Sequence, residues 1–122
     1  MTRSVSLRMM AVGLLLAGLA PFTLAQRNYE RARHLVGRTD GDLRRISHRA
    51  ANPKEQERYD NALRHLSQFD QSLAQGGYDK GKLDASIDDI NNICKNNTLS
   101  PRERDVLLGD LGALRNLRAE WH

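Results

Sequence analysis

Apolar residues recur at helical spacing in four separate segments of the chain. In the first, residues 27–50, Tyr29, Ala32, Leu35, Val36, Leu43, Ile46 and Ala50 share one side. The second opens at "NPKE". There Asn52 is a cap, Pro53 takes the first helical position and Glu55 reaches back towards the cap. Tyr59, Ala62, Leu63, Leu66, Phe69 and Leu73 line its face, and Gly76-Gly77 stops it. The third opens near Asp79, carries Leu83, Ile87, Ile90, Ile93 and Cys94, and ends at "KNN". The fourth opens with "SPRE", which repeats the cap, proline and glutamate arrangement. Val106, Leu107, Leu111, Leu114, Leu117 and Trp121 follow.

Strand signals are absent, since β-branched residues are few and no alternating run occurs. The three connections are only a few residues long, which makes successive helices antiparallel neighbours. The pattern therefore predicts an all-α, up-down four-helix bundle. Three helices with a broken first one are the competing arrangement.

The break would fall in "HLVGRTDGDLRRISHR", residues 34–49, where Gly37, Gly41 and an Asp-Gly-Asp interrupt the first segment. A turn there would use Gly37 after a helix end, Thr39 as a new cap and Asp42 to complete the box. Phase argues for continuity: Leu43 and Ile46 stay in register with Leu35 and Val36 at about 100° per residue. Gly41 falls opposite the apolar centre and Gly37 close to that side, so neither removes a core contact. The expectation is one helix with a weak middle. A calcium loop is excluded. With Gly41 at the sixth position, the first and last ligand positions would be Val36 and Ser47; with Gly81 they would be Gly76 and Ile87.

Upstream of these segments the pattern changes. A polar start with Arg3 and Arg8 precedes the apolar run "MMAVGLLLAGLA", then Pro21 and "PFTLAQ". A basic start, a short apolar run and small residues at Thr23 and Ala25 predict a signal peptide over residues 1–25, cut between Ala25 and Gln26. The run is short of the roughly 20 residues a transmembrane helix needs, so no span remains after cleavage. The expectation is a periplasmic or secreted protein with a single domain over 26–122. Formal net charge is +4, from 19 basic and 15 acidic residues. The leader takes two arginines and no acid, so the field of the remaining chain is weaker than the total suggests.

Recurring site chemistries are missing. The four histidines, His34, His48, His65 and His122, make no zinc-binding pair four residues apart, and no Glu-x-x-His occurs for a di-iron bundle. There is no Cys-x-x-Cys-His. All three methionines lie in the leader, which removes methionine ligation of haem or copper from the mature chain. No glycine-rich phosphate loop is present. The reading is a non-enzymatic protein with no cofactor and no metal, acting by binding. Aromatic residues make up 5% of the chain, and together with export this argues against nucleic acid.

One positive feature remains. Arg27, Arg31, Arg38, Arg45 and Arg49 fall within about 160° to 200° on the wheel of the first helix, with His34 beside them. On an unbroken helix they form a row about 33 Å long. This is a candidate contact for an anionic envelope component or an acidic protein, or else an ordinary solvated face. On the fourth helix, Leu108, Gly109 and Gly112 face away from the apolar stripe and are a candidate contact for a weak homodimer. Cys94, the only cysteine, is either a buried thiol or a disulfide to a second molecule. Finally, Leu99-Ser100-Pro101-Arg102-Glu103 resembles a loose form of the Leu-Thr-x-x-Gln signature of small helical periplasmic chaperones and stress adaptors, with Ser for Thr and Glu for Gln. The resemblance implies a chaperone-like stress adaptor as the alternative function. A capping box accounts for the same letters.

Overall fold

The computed structural model describes residues 28–121. The chain divides into two compact units, Met1–Arg31 and Ala32–His122. The predicted leader and cleavage point lie outside the described residues. Four helices are present, with no strand among the described residues: α1 (residues 28–47), α2 (Pro53–Ala74), α3 (Lys80–Asn96) and α4 (Pro101–Glu120). The second unit is an all-α four-helix bundle.

Local chemistry sets each boundary. The Asn52 side chain accepts from the Glu55 N–H at 2.9 Å, and Pro53 occupies the first turn, where its missing N–H costs nothing. Helix α2 ends in a Schellman motif. Gly76 lies at φ 79, its N–H donates to Leu73 O, and the Gly77 N–H donates to Ser72 O at 2.8 Å. Asp79 caps α3 by accepting from the Lys82 N–H. Ser100 and Glu103 form a reciprocal capping box on α4, with Ser100 Oγ accepting from the Glu103 N–H at 3.1 Å and Glu103 Oε1 accepting from the Ser100 N–H at 2.8 Å.

Polar pairs show that neighbours run antiparallel. Arg33 near the start of α1 meets Asp70 near the end of α2, and Arg58 of α2 donates to Asn97 just past α3. Arg118 near the end of α4 meets Asp84 near the start of α3, and Arg38 of α1 meets Asp110 of α4. The stripes pack inwards between these seams. Val36, Leu43, Ile46, Tyr59, Leu66, Phe69, Leu83, Ile90, Ile93, Leu107, Leu111 and Leu114 are all buried. Burying each large side chain stabilises the fold by about 1.5–3 kcal/mol against leaving it exposed. No helix among the described residues is long and apolar enough to cross a membrane.

Helix α1 passes through residues 37–42 without a break, as the phase of its apolar residues predicts. Gly37 and Gly41 are exposed, and a Cβ at either would meet nothing within 4 Å. Thr39 does not cap a new helix. It is fully buried, and its hydroxyl donates back to Leu35 O at 2.9 Å. Three details differ from the sequence reading. The helix stops at residue 47 rather than 50, where Arg49 N–H and Ala50 N–H close turns onto Ile46 O and Ser47 O. Glu55 reaches past its cap to the Ala51 N–H at 3.1 Å. The polar residues Ser86 and Asp110 sit inside the apolar stripes of α3 and α4.

Candidate functional site

The end of α1 and the start of α4 lie side by side, at the end of the bundle that holds the 48–52 and 97–100 connections. Glu55 fixes this end. Its carboxylate accepts from Ala51 N–H, from Thr98 N–H at 3.0 Å and from Thr98 Oγ1 at 2.9 Å. Asn97 Nδ2 also donates to Glu55 O. Led by the Ala51 N–H, these donors hold the Glu55 carboxyl below the usual carboxylate range against the opposing effect of burial. Two loops are thus fastened to one side chain.

Against this support, Arg45, Ile46, Arg49, Ser100, Arg102, Glu103 and Val106 line a cavity of about 550 Å³. Three guanidinium groups from two elements meet there. Arg49 Nη1 stands 3.7 Å from Glu103 Oε2, an ion pair too long to be a hydrogen bond. Arg102 is exposed and has no carboxylate or other hydrogen-bond partner among the described residues. Ser100 and Glu103 are already committed to the capping box, which also holds the Glu103 carboxyl low through the Ser100 N–H. The letters that carry the chaperone resemblance therefore have a local structural role.

Behind the cavity, two carboxyl groups meet. Asp110 of α4 is 3% exposed and lies close enough to Asp42 of α1 for the two carboxyls to perturb each other. Arg38 Nε donates to Asp110 Oδ1 at 3.2 Å, and Arg45 Nη2 donates to Asp42 Oδ1 at 2.6 Å. Asp110 Oδ2 is buried with no donor directed at it. A proton on Asp110 resolves the conflict, because the acid then donates to the Asp42 carboxylate. Burial, and after it the hydrogen bond and charge of Asp42, push the Asp110 carboxyl up to about 7, although Arg38 opposes this. For Asp42, burial acts upwards but is outweighed by hydrogen bonds from Asp110 and Arg45, so its carboxyl stays low. Below neutral pH the proton therefore favours Asp110 and the charge Asp42.

The predicted arginines are thereby placed. Arg38, Arg45 and Arg49 have side chains 59%, 66% and 75% exposed; Arg38 and Arg45 are hydrogen-bonded on one side to Asp110 and Asp42, and Arg49 stands loosely by Glu103. Arg31 is helical but belongs to the first unit, and Arg27 lies outside the described residues. Sequence reasoning missed Arg102, which stands on a different helix from the row. It also missed Asp110, although a signal existed: 110 lies three residues after Leu107 and four before Leu114, on the stripe itself.

On α4, Leu108 is 46% exposed, the only large hydrophobic among the described residues to be so open. Gly109 is exposed and Gly112 half-buried beside it, with open space around both. Cys94 is buried and unpaired, and burial pushes its thiol up despite Arg104 and Arg115. The Arg104 guanidinium donates to its carbonyl. No group of three or more metal-binding side chains exists among the described residues. No family model matches the sequence, and no curated protein or solved structure is significantly similar to it.

Proposed function

We propose that the protein is an exported, non-enzymatic binding bundle whose arginine face on α1 contacts an anionic component of the bacterial envelope. The observation that carries this reading is the unbroken course of α1 through residues 37–42. It keeps Arg38 and Arg45 on one side of a single rod, with Arg49 in the turn that follows. Arg38 and Arg45 are each held at one edge by an aspartate, Arg49 stands loosely by Glu103 at 3.7 Å, and all three are left more than half open. A cation pre-oriented like Arg38 or Arg45 loses less side-chain freedom on binding than a free one. Export is supported by the basic start, apolar run and small residues of positions 1–25.

The test is sedimentation with vesicles of phosphatidylglycerol against vesicles of phosphatidylcholine. Binding should be selective for the anionic vesicles and should weaken steeply between about 50 and about 300 mM salt, as screening shortens. Replacing Arg31, Arg45 and Arg49 together by Gln should abolish most of it while the helical circular dichroism is kept. This set spares Arg38, so the buried Asp110 keeps its partner. Binding that is unchanged in the folded triple variant would overturn the proposal.

A further inference from the structure

The arginine row alone would favour any polyanion. The cavity at its end is more selective. Its positive wall is built from two elements, since Arg45 and Arg49 come from α1 and the turn after it, and Arg102 comes from the first turn of α4. Against three guanidiniums the lining offers one carboxylate, Glu103, and Asp42 stands behind Arg45. Cations remain in excess. Among the described residues Arg102 has no hydrogen-bond or ion-pair partner and Arg49 only the loose contact at 3.7 Å, so both can turn their paired N–H donors to an incoming group. The start of α4 adds the positive end of a 20-residue helix. Guanidinium pairs of this kind match the spacing of oxygens on phosphate.

The volume, about 550 Å³, exceeds what an inorganic ion fills and lies in the range of small-molecule sites. The rest of the lining is Ser100, Glu103, the half-buried Val106 and the edge of Ile46, which is otherwise packed into the core. A ligand that fills the volume beyond the guanidiniums carries a phosphate group on a small organic body. The rigid footing given by Glu55 to the adjoining loops keeps the two halves of the wall in place.

We infer that the cavity between the end of α1 and the start of α4 is a binding site for a phosphate ester, with Arg49 and Arg102 gripping the phosphate and Val106 beside the organic part. This rests on the arginine-face reading and sharpens it: the phosphate ester is either a lipid headgroup or a free small molecule, and the two sources share one recognition chemistry.

The experiment uses two probes on the full chain: glycerol phosphate in titration calorimetry, and phosphatidic acid vesicles in sedimentation. Arg102→Gln is the diagnostic variant, because Arg102 is exposed, makes no hydrogen bond or ion pair among the described residues and lies outside the α1 row. Arg33→Gln, which loses only the α1–α2 pair with Asp70, is the control. The expected result is saturable binding weakened about tenfold or more by Arg102→Gln and left alone by Arg33→Gln, as loss of one charge-assisted bidentate contact requires. If glycerol phosphate shows this dependence, the site takes the free ester. If only vesicles show it, the site takes the headgroup. Vesicle binding indifferent to Arg102→Gln, with no titration by glycerol phosphate, overturns the cavity as the site while leaving the arginine face standing. Absence of binding to either probe overturns both.

Discussion

Cys94 shows how a single side chain is decided by its surroundings. A thiol reacts as thiolate, and burial pushes the Cys94 thiol up, away from that form, more than Arg104 and Arg115 pull it down. Its side chain is buried, like those of Ile90 and Ile93 on the same helix. The expected outcome is that native protein reacts with a disulfide reagent at about pH 8 many times more slowly than the unfolded chain, because only the opened thiol is accessible. Non-reducing electrophoresis should show a monomer. Rapid native labelling, or a covalent dimer under air, would contradict the buried placement. The sequence left this cysteine with two readings because a stripe position gives the face of a helix and not what covers it. Polar residues on stripes were harder still. Thr39, Ser86 and Asp110 all occupy core positions by spacing, but their polarity masks them in any count of apolar residues. Thr39 and Ser86 resolve their burial locally, donating to the carbonyls of Leu35 and Lys82 four residues back.

At the scale of the element, helix α1 is a contest between propensity and packing. Two glycines and a buried threonine weaken its middle, while Val36, Leu43 and Ile46 pull it onto the core. Packing prevails, and the residual weakness is open to measurement. Gly37 and Gly41 have negative φ, stand exposed and leave room for a Cβ. Gly37→Ala and Gly41→Ala should therefore each stabilise the bundle by about 1 kcal/mol, which raises Tm by roughly 4–8 °C in a domain of this size. The check is thermal unfolding followed by circular dichroism. No gain, or a loss, would mean that residues 37–42 need a conformation an alanine resists, and the arginine row would then lose its single rod. The helices were legible because periodicity marked all four and other signals reinforced three of them: a cap, a proline and a glycine pair for α2, a cap and an asparagine run for α3, and a cap and a proline for α4. The end of α1 was misplaced by three residues because Ala50 keeps the apolar phase while the backbone has already turned towards Asn52. The cavity was not legible at all. It needs Arg102 beside Arg49, residues 53 positions apart in the sequence, and only the antiparallel return of α4 brings them together.

At the scale of the whole molecule, the α1–α4 seam couples stability to pH. The charged groups that bear on Asp110 are Asp42 and Arg38, both on α1, with Arg45 behind Asp42. From α3, the polar contacts onto α4 lie to either side of Asp110, at Asp84 with Arg118 and at the Cys94 carbonyl with Arg104. Asp110 has a folded-state value raised from 3.8 to about 7. The folded chain thus binds this proton more tightly than the unfolded chain, and stability contributed by the protonated acid is fully present below about pH 4. It is lost as pH rises through about 7, a loss on the order of a few kcal/mol. Asp42 acts in the opposite sense, since its lowered value contributes stability that disappears only in acid, as do those of Glu55 and Glu103. The window from about pH 5 to about pH 8 therefore isolates Asp110 from the other carboxyls. Asp110→Asn keeps the shape, donates to Asp42 through its amide and accepts from Arg38 without ever ionising. Its advantage over the native chain in urea unfolding should be clearly larger at about pH 8 than at about pH 5, and taking the difference between the two chains cancels every contribution they share. An advantage that is the same at both pH values would mean that Asp110 does not hold its proton, and that Arg38 alone is enough to keep a buried carboxylate in the seam. The direction also matters for binding. Once Asp110 ionises, Asp42 and Asp110 together place a second negative charge behind Arg45, so the arginine face should grip an anion less firmly on the alkaline side of neutrality than on the acid side.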